Sequence, residues 1–136
     1  RRIAQTLDVM GVEQALVVHG SGLDEVALHG ETRAMRLSHH VITEEMITPE
    51  DAGIERAPLQ VVTGGDVDEN AARFRALMDG RGSQAEQDMV ILNTAALLTT
   101  AGKATNLRDG AVQAREALAN GRAGAVLDAY VKASNG

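Results

Sequence analysis

The feature that most constrains this chain is one continuous apolar run, Ala15-Leu16-Val17-Val18, that passes at once into His19-Gly20-Ser21-Gly22. An unbroken apolar run of strand length is the pattern of a strand covered on both faces, as in a parallel sheet. Such a strand needs parallel neighbours, yet no second run of the kind and no further βαβ unit follows. The expectation is an α/β chain, the edge of a mixed sheet flanked by helices: either the sheet's other strands lie outside these residues, or the buried-strand reading is wrong.

Around that run the sequence is ordinary for one globular domain: 136 residues, 44% hydrophobic and 24% charged. No window approaches the roughly 20 apolar residues of a membrane-spanning helix, so a membrane location is not expected. The absence of cysteine excludes a disulfide framework and a thiolate zinc site and suits a cytoplasmic protein. A net charge of −6, scattered Lys and Arg, and only Phe74 and Tyr130 as aromatic residues argue against a nucleic-acid partner.

Periodicity and capping chemistry place the other elements. Ile3, Leu7 and Met10 have helical spacing, with Gly11 as the stop. The stretches 32–37 and 41–47 read as a hairpin about Ser38-His39-His40, without the usual turn glycine. Thr48-Pro49-Glu50-Asp51 has the chemistry of a helix start, closed early by Gly53. Asp66-x-x-Glu69 and Ser83-x-x-Glu86 resemble capping boxes, followed by Val67, Ala71, Phe74 and Met78 in one helix and Met89, Leu92 and Ala96 in the other. The run 90–101 is apolar enough to predict a helix buried nearly all round. Asn106 opens another helix, and Gly121 separates it from a last one carrying Val126, Leu127 and Tyr130. The five methionines, Met10, Met35, Met46, Met78 and Met89, read as core or near-core residues.

Chemistry concentrates after the apolar run. In Val17-Val18-His19-Gly20-Ser21-Gly22-Leu23-Asp24-Glu25 a strand enters a glycine-rich loop bearing adjacent carboxylates, and ligands of open α/β sheets gather at strand carboxyl ends. Hard carboxylate oxygens suit magnesium, which takes one or two of them and completes its octahedron with water and phosphate. Taken alone, an Asp-Glu pair on a loop is more often plain solvated surface than a metal site.

The segment resembles the Val-Val-His-Gly-x-Gly-Leu-Asp-Glu stretch of the anthranilate phosphoribosyltransferase family. Thr48-Pro49-Glu50-Asp51-Ala52-Gly53, Gly64-Gly65-Asp66 with Asn70-Ala71, Leu92-Asn93-Thr94-Ala95-Ala96 and Gly102-Lys103-Ala104 match later family motifs in order. The resemblance implies the carboxyl-terminal part of a nucleoside phosphorylase/phosphoribosyltransferase-like catalytic domain across residues 1–136. It further implies a Mg2+-dependent enzyme of tryptophan biosynthesis that transfers the phosphoribosyl group of phosphoribosyl pyrophosphate to anthranilate. Asp24 and Glu25 would take the metal positions, and no catalytic side chain is assigned.

In complete family members an amino-terminal helical domain serves dimerisation, and the phosphate loop and anthranilate tunnel lie upstream. None of those motifs occurs in residues 1–136, so the chain is expected to be inactive alone and to need the rest of the same protein, a homodimer when complete. Thr63-Gly64-Gly65-Asp66 looks like the family's phosphate loop but leads into a capped helix, and is read as a structural N-cap. His39 and His40 are read as turn residues, His19 as shaping the loop, and Lys103 as a charge favourable to a helix end. A pyrimidine nucleoside phosphorylase-like enzyme and a non-catalytic family relative are the alternatives.

Overall fold

A short helix, α1 (Arg2–Val9), ends at a left-handed Gly11 and hands the chain to β1 (Gln14–His19), which contains the apolar run. The computed structural model describes residues 1–136. β1 pairs antiparallel with β2 (Thr32–Ser38), and β2 pairs antiparallel with β3 (Val41–Ile47). The sheet order is β1-β2-β3, so β1 has one bonded edge within these residues. The strand exists as expected, but its partner here is antiparallel and Ala15 to Val18 are half-buried rather than covered on both faces. Leu16 and Val18 pack against the core, whereas Ala15 and Val17 alternate to the other face.

The hairpin between β2 and β3 explains its missing glycine. Ser38 stands opposite Val41, and the two residues between them, His39 and His40, adopt φ of 45° and 69°. This is the two-residue turn whose twist suits a hairpin and which usually selects Asn-Gly.

Side-chain caps then set the starts of most helices. Thr48 and Asp51 form a reciprocal box around a 3-10 turn, Pro49–Ala52, that stops at Gly53. After a second 3-10 turn, Leu59–Val62, come α2 (Val67–Met78), α3 (Gln84–Thr100), α4 (Leu107–Ala119) and α5 (Arg122–Ser134). Asp66 caps α2, Ser83 and Glu86 cap α3 in both directions, and Asn106 caps α4.

Ile91, Leu92, Ala95 and Ala96 of α3 meet Ala111, Ala114 and Leu118 of α4, and Val26, Leu28, Ala34, Ile47, Ala52 and Ile54 complete the core. A Cβ on Gly110 would lie 2.8 Å from Cα of Ala95, so α3 and α4 touch backbone to backbone at small residues. That close contact decides which faces are buried, and several expectations change with it. α3 is buried on one face only, with Leu97 68% exposed. α2 buries Leu77 while Val67 and Phe74 face out, α5 buries Gly124 while Val126 and Tyr130 face out, and α1 buries Ala4 while Ile3 faces out. Met10 and Met46 are likewise exposed, and Met35, Met78 and Met89 are half-buried as expected. Nothing within residues 1–136 covers these outward apolar side chains.

Candidate metal centre

The loop begins where β1 stops. Gly20 and Leu23 exchange both main-chain hydrogen bonds, at 2.9 and 3.0 Å, around a turn with Ser21 at φ 49° and Gly22 at φ 98°. Asp24 and Glu25 follow, both exposed, and then Val26, Ala27 and Leu28 plunge into the core. A Cβ on Gly20 would lie 2.2 Å from the Glu25 carbonyl oxygen and 2.7 Å from the Ala27 nitrogen, so the returning chain passes directly over this glycine.

Polar side chains from two elements hold the returning chain. The Ala27 amide donates to the buried Thr32 hydroxyl of β2 at 2.8 Å. The Val26 amide donates to Oδ1 of Asn93 on α3 at 2.9 Å, and Nδ2 of Asn93 donates to the Val26 carbonyl at 3.0 Å. Beneath the turn, the Ser21 hydroxyl donates to the Glu31 carbonyl at 2.8 Å and Nε2 of His29 to the Ser21 carbonyl at 3.2 Å. An apolar cleft of about 370 Å³ between β1 and α3 runs below, lined by Leu16, Val18, Val26, Asn93 and Leu97 among others.

Asp24 and Glu25 therefore stand on an anchored loop without hydrogen-bond or ion-pair partners of their own. Two adjacent hard oxygen donors open to solvent fit magnesium, which leaves most of its coordination sphere to water and phosphate. They do not fit a closed protein cage, because no group of three or more His, Cys, Asp or Glu is assembled anywhere in the chain.

The other singled-out residues lie elsewhere. At Thr63-Gly64-Gly65-Asp66, Asp66 accepts from the Glu69 amide at 2.9 Å and Asn70 bonds both polar groups of the Gly65 main chain. The Glu69 carboxylate leans over Gly65, so a negative charge already sits against that helix start and the N-cap reading holds. His39 and His40 form the distant hairpin turn, with Nδ1 of His40 2.7 Å from Asp8. His19 is exposed beside Gly20, and Lys103 lies beyond the end of α3. The largest cleft, about 540 Å³, lies between the hairpin and the start of α4 and does not include the loop. Its Arg36 is already paired with Glu45 at 2.8 Å.

Three carboxyls sit below their ordinary range, and all three belong to caps or turns. Main-chain amides at Glu50 itself and at Thr105 are the first cause for Glu50 and Asp109, and the Ser83 hydroxyl is the first cause for Glu86.

The family model described as "Glycosyl transferase family, a/b domain" matches residues 1–124. The chain belongs to this family. Among its relatives, the anthranilate phosphoribosyltransferase of Sorangium cellulosum is 49% identical over 131 residues, covering 96% of this chain and 38% of that protein. The enzyme of the same name from Haloferax volcanii is 42% identical over 131 residues, 96% of this chain and 40% of that protein. Anthranilate phosphoribosyltransferase from Thermus thermophilus superposes with a TM-score of 0.87 at 38% identity, over 96% of this chain and 38% of that one. The Saccharomyces cerevisiae enzyme, solved with PRPP and Mg, shares the fold at a TM-score of 0.80 and 23% identity, over 89% of this chain and 35% of that one. This chain thus spans well under half the length of these relatives.

The Asp24-Glu25 pair stands out in the sequence, whereas the side chains that anchor its loop do not. Asn93 was visible inside a family motif, with no role attached. An asparagine within the mostly apolar stretch 89–98, where it is a poor helix former, was the available signal. Thr32 gave none beyond opening a strand. His29, whose Nδ1 is buried without a partner, gave none either.

Proposed function

We propose that the protein containing this chain is an anthranilate phosphoribosyltransferase that uses Mg2+ and acts in tryptophan biosynthesis. The 49% identity to an enzyme of that name, maintained over 131 residues, carries the reading. The anchored, unpartnered Asp24 and Glu25 supply what the metal-dependent part of such a reaction asks of this segment. Residues 1–136 form the carboxyl-terminal part of the catalytic domain. The phosphate loop, the anthranilate pocket and an amino-terminal dimerisation domain belong to sequence outside them. In this proposal the whole enzyme is a cytoplasmic homodimer.

In the proposed reaction the anthranilate amine attacks the anomeric carbon of phosphoribosyl pyrophosphate. A C–N bond forms, the C–O bond to pyrophosphate breaks, and the amine proton passes to solvent. Bound Mg2+ supplies neutralisation of the charge that builds on pyrophosphate as it leaves. Asp24 and Glu25 would hold the ion, and the fixed main chain on either side of them would keep the two donors in place. No nucleophilic side chain is required.

The test is turnover by the full-length protein, followed by the loss of anthranilate fluorescence with phosphoribosyl pyrophosphate present, with Mg2+ and with a chelator. Consumption only when both Mg2+ and the pyrophosphate donor are present supports the reading. Phosphorolysis of thymidine without anthranilate transfer would replace it with a pyrimidine nucleoside phosphorylase, and neither activity would leave a non-catalytic relative. Residues 1–136 alone are expected to turn over nothing.

A further inference from the structure

Asp24 and Glu25 have no partners to aim their side chains, so their placement is inherited from the main chain on either side. That main chain is pinned at two points. On one side Gly20 and Leu23 exchange both main-chain bonds. On the other the Asn93 side chain engages Val26 as a neighbouring strand would, accepting from its amide and donating to its carbonyl. Only Asp24 and Glu25 lie between these fixed points. The link is itself rigid, because Nδ2 of Asn93 also donates to the Met89 carbonyl one helical turn back, at 3.0 Å. Val26 is 2% exposed, which shields the paired groups from water. Every polar atom of an asparagine that costs α3 helix propensity is committed to this place.

We propose that Asn93 is a positioning residue for the metal carboxylates, tying the Asp24-Glu25 segment to α3 through the Val26 main chain. The inference rests on the reading of Asp24 and Glu25 as magnesium ligands. A ligand pair on a loosened loop has to be ordered by the metal on binding, which weakens affinity. Groups that orient metal ligands typically change affinity ~10- to 100-fold when removed.

The experiment uses the full-length protein with Mn2+ and inorganic pyrophosphate as probes, bound Mn2+ being read by electron paramagnetic resonance. The half-saturating Mg2+ concentration of turnover is measured beside it. Asn93→Ser is the main variant: a helical serine bonds its own i−4 carbonyl, which replaces the Met89 contact, but it is too short to hold Val26. Asn93→Ala is the second variant. Asn106→Ala, which removes the α4 cap without touching the loop, shows what general destabilisation does.

The expected result is Mn2+ binding weakened about tenfold in both Asn93 variants, with a matching rise in half-saturating Mg2+ and little change in the KM for anthranilate. Asn106→Ala should lower the thermal midpoint and leave metal binding alone. Wild-type metal binding in the Asn93 variants, or a shift no larger than that of Asn106→Ala, would overturn the inference. If wild-type Mn2+ binding is itself indifferent to Asp24→Asn and Glu25→Gln, the ligand reading fails instead, and the inference falls with it.

Discussion

Gly20→Ala is the substitution that the loop should tolerate least. The new Cβ would stand 2.2 Å from the Glu25 carbonyl oxygen, a contact that real Cβ atoms essentially never make below 3.0 Å. The returning chain has to retreat by about 0.8 Å, a strain of the kind that overpacking imposes at ~1–3 kcal/mol. The same retreat stretches the Ala27–Thr32 and Val26–Asn93 hydrogen bonds, now 2.8 and 2.9 Å, past useful length. Each is worth ~0.5–1.5 kcal/mol, so the local cost comes to roughly 2 to 6 kcal/mol. Hydrogen exchange of the Val26 and Ala27 amides in the full-length protein reads that cost directly. At a factor of ten per ~1.4 kcal/mol, their exchange should accelerate about 30-fold or more. Gly22→Ala is the contrast: nothing lies within 4 Å of its Cβ, its penalty comes only from φ of 98°, and it should leave those two amides protected. Unchanged exchange in Gly20→Ala would refute the reasoning.

Glu86 is held below its ordinary range by the Ser83 hydroxyl first and the Arg73 guanidinium second, so its contribution to stability is complete above the usual carboxylate pKa and is lost as pH falls through the lower folded value. Glu86→Gln should therefore flatten the fall of the thermal midpoint between about pH 5 and about pH 3, and a fall as steep as wild type would contradict this. His39→Asn, which offers positive φ at less strain while keeping the His40–Asp8 contact, should raise stability by a few tenths to ~1 kcal/mol. A loss of stability in thermal unfolding would show that the turn depends on the imidazole itself.

What was legible in the sequence was local chemistry. Asp66, Ser83 and Asn106 announced helix starts because a cap needs only a side chain and an amide three residues on. The hairpin was legible from its flanking strands even though two histidines replaced the expected turn pair. The buried faces were less legible. The spacing of Val67, Phe74, Val126 and Tyr130 shows that a helix has an apolar side, but not whether anything within these residues covers it. For β1, an apolar run cannot distinguish a parallel from an antiparallel neighbour. The site divided along the same line. Asp24 and Glu25 follow from strand, glycine loop and acid pair, whereas Thr32 and Asn93 reach them across the fold from 5 and 67 residues beyond the main-chain groups they hold.

On the proposed function Asp24 and Glu25 act through a metal and do nothing for the fold. The most direct measurement is magnesium-dependent anthranilate transfer by the full-length Asp24→Asn, Glu25→Gln double variant, with its thermal midpoint taken on the same sample. Because both carboxylates are exposed and unpartnered, the midpoint should stay within about a degree of wild type. Turnover should fall ~100-fold or more, as expected when several kcal/mol of charge stabilisation are removed. Wild-type turnover in the double variant, at the same Mg2+ concentration, would contradict the account.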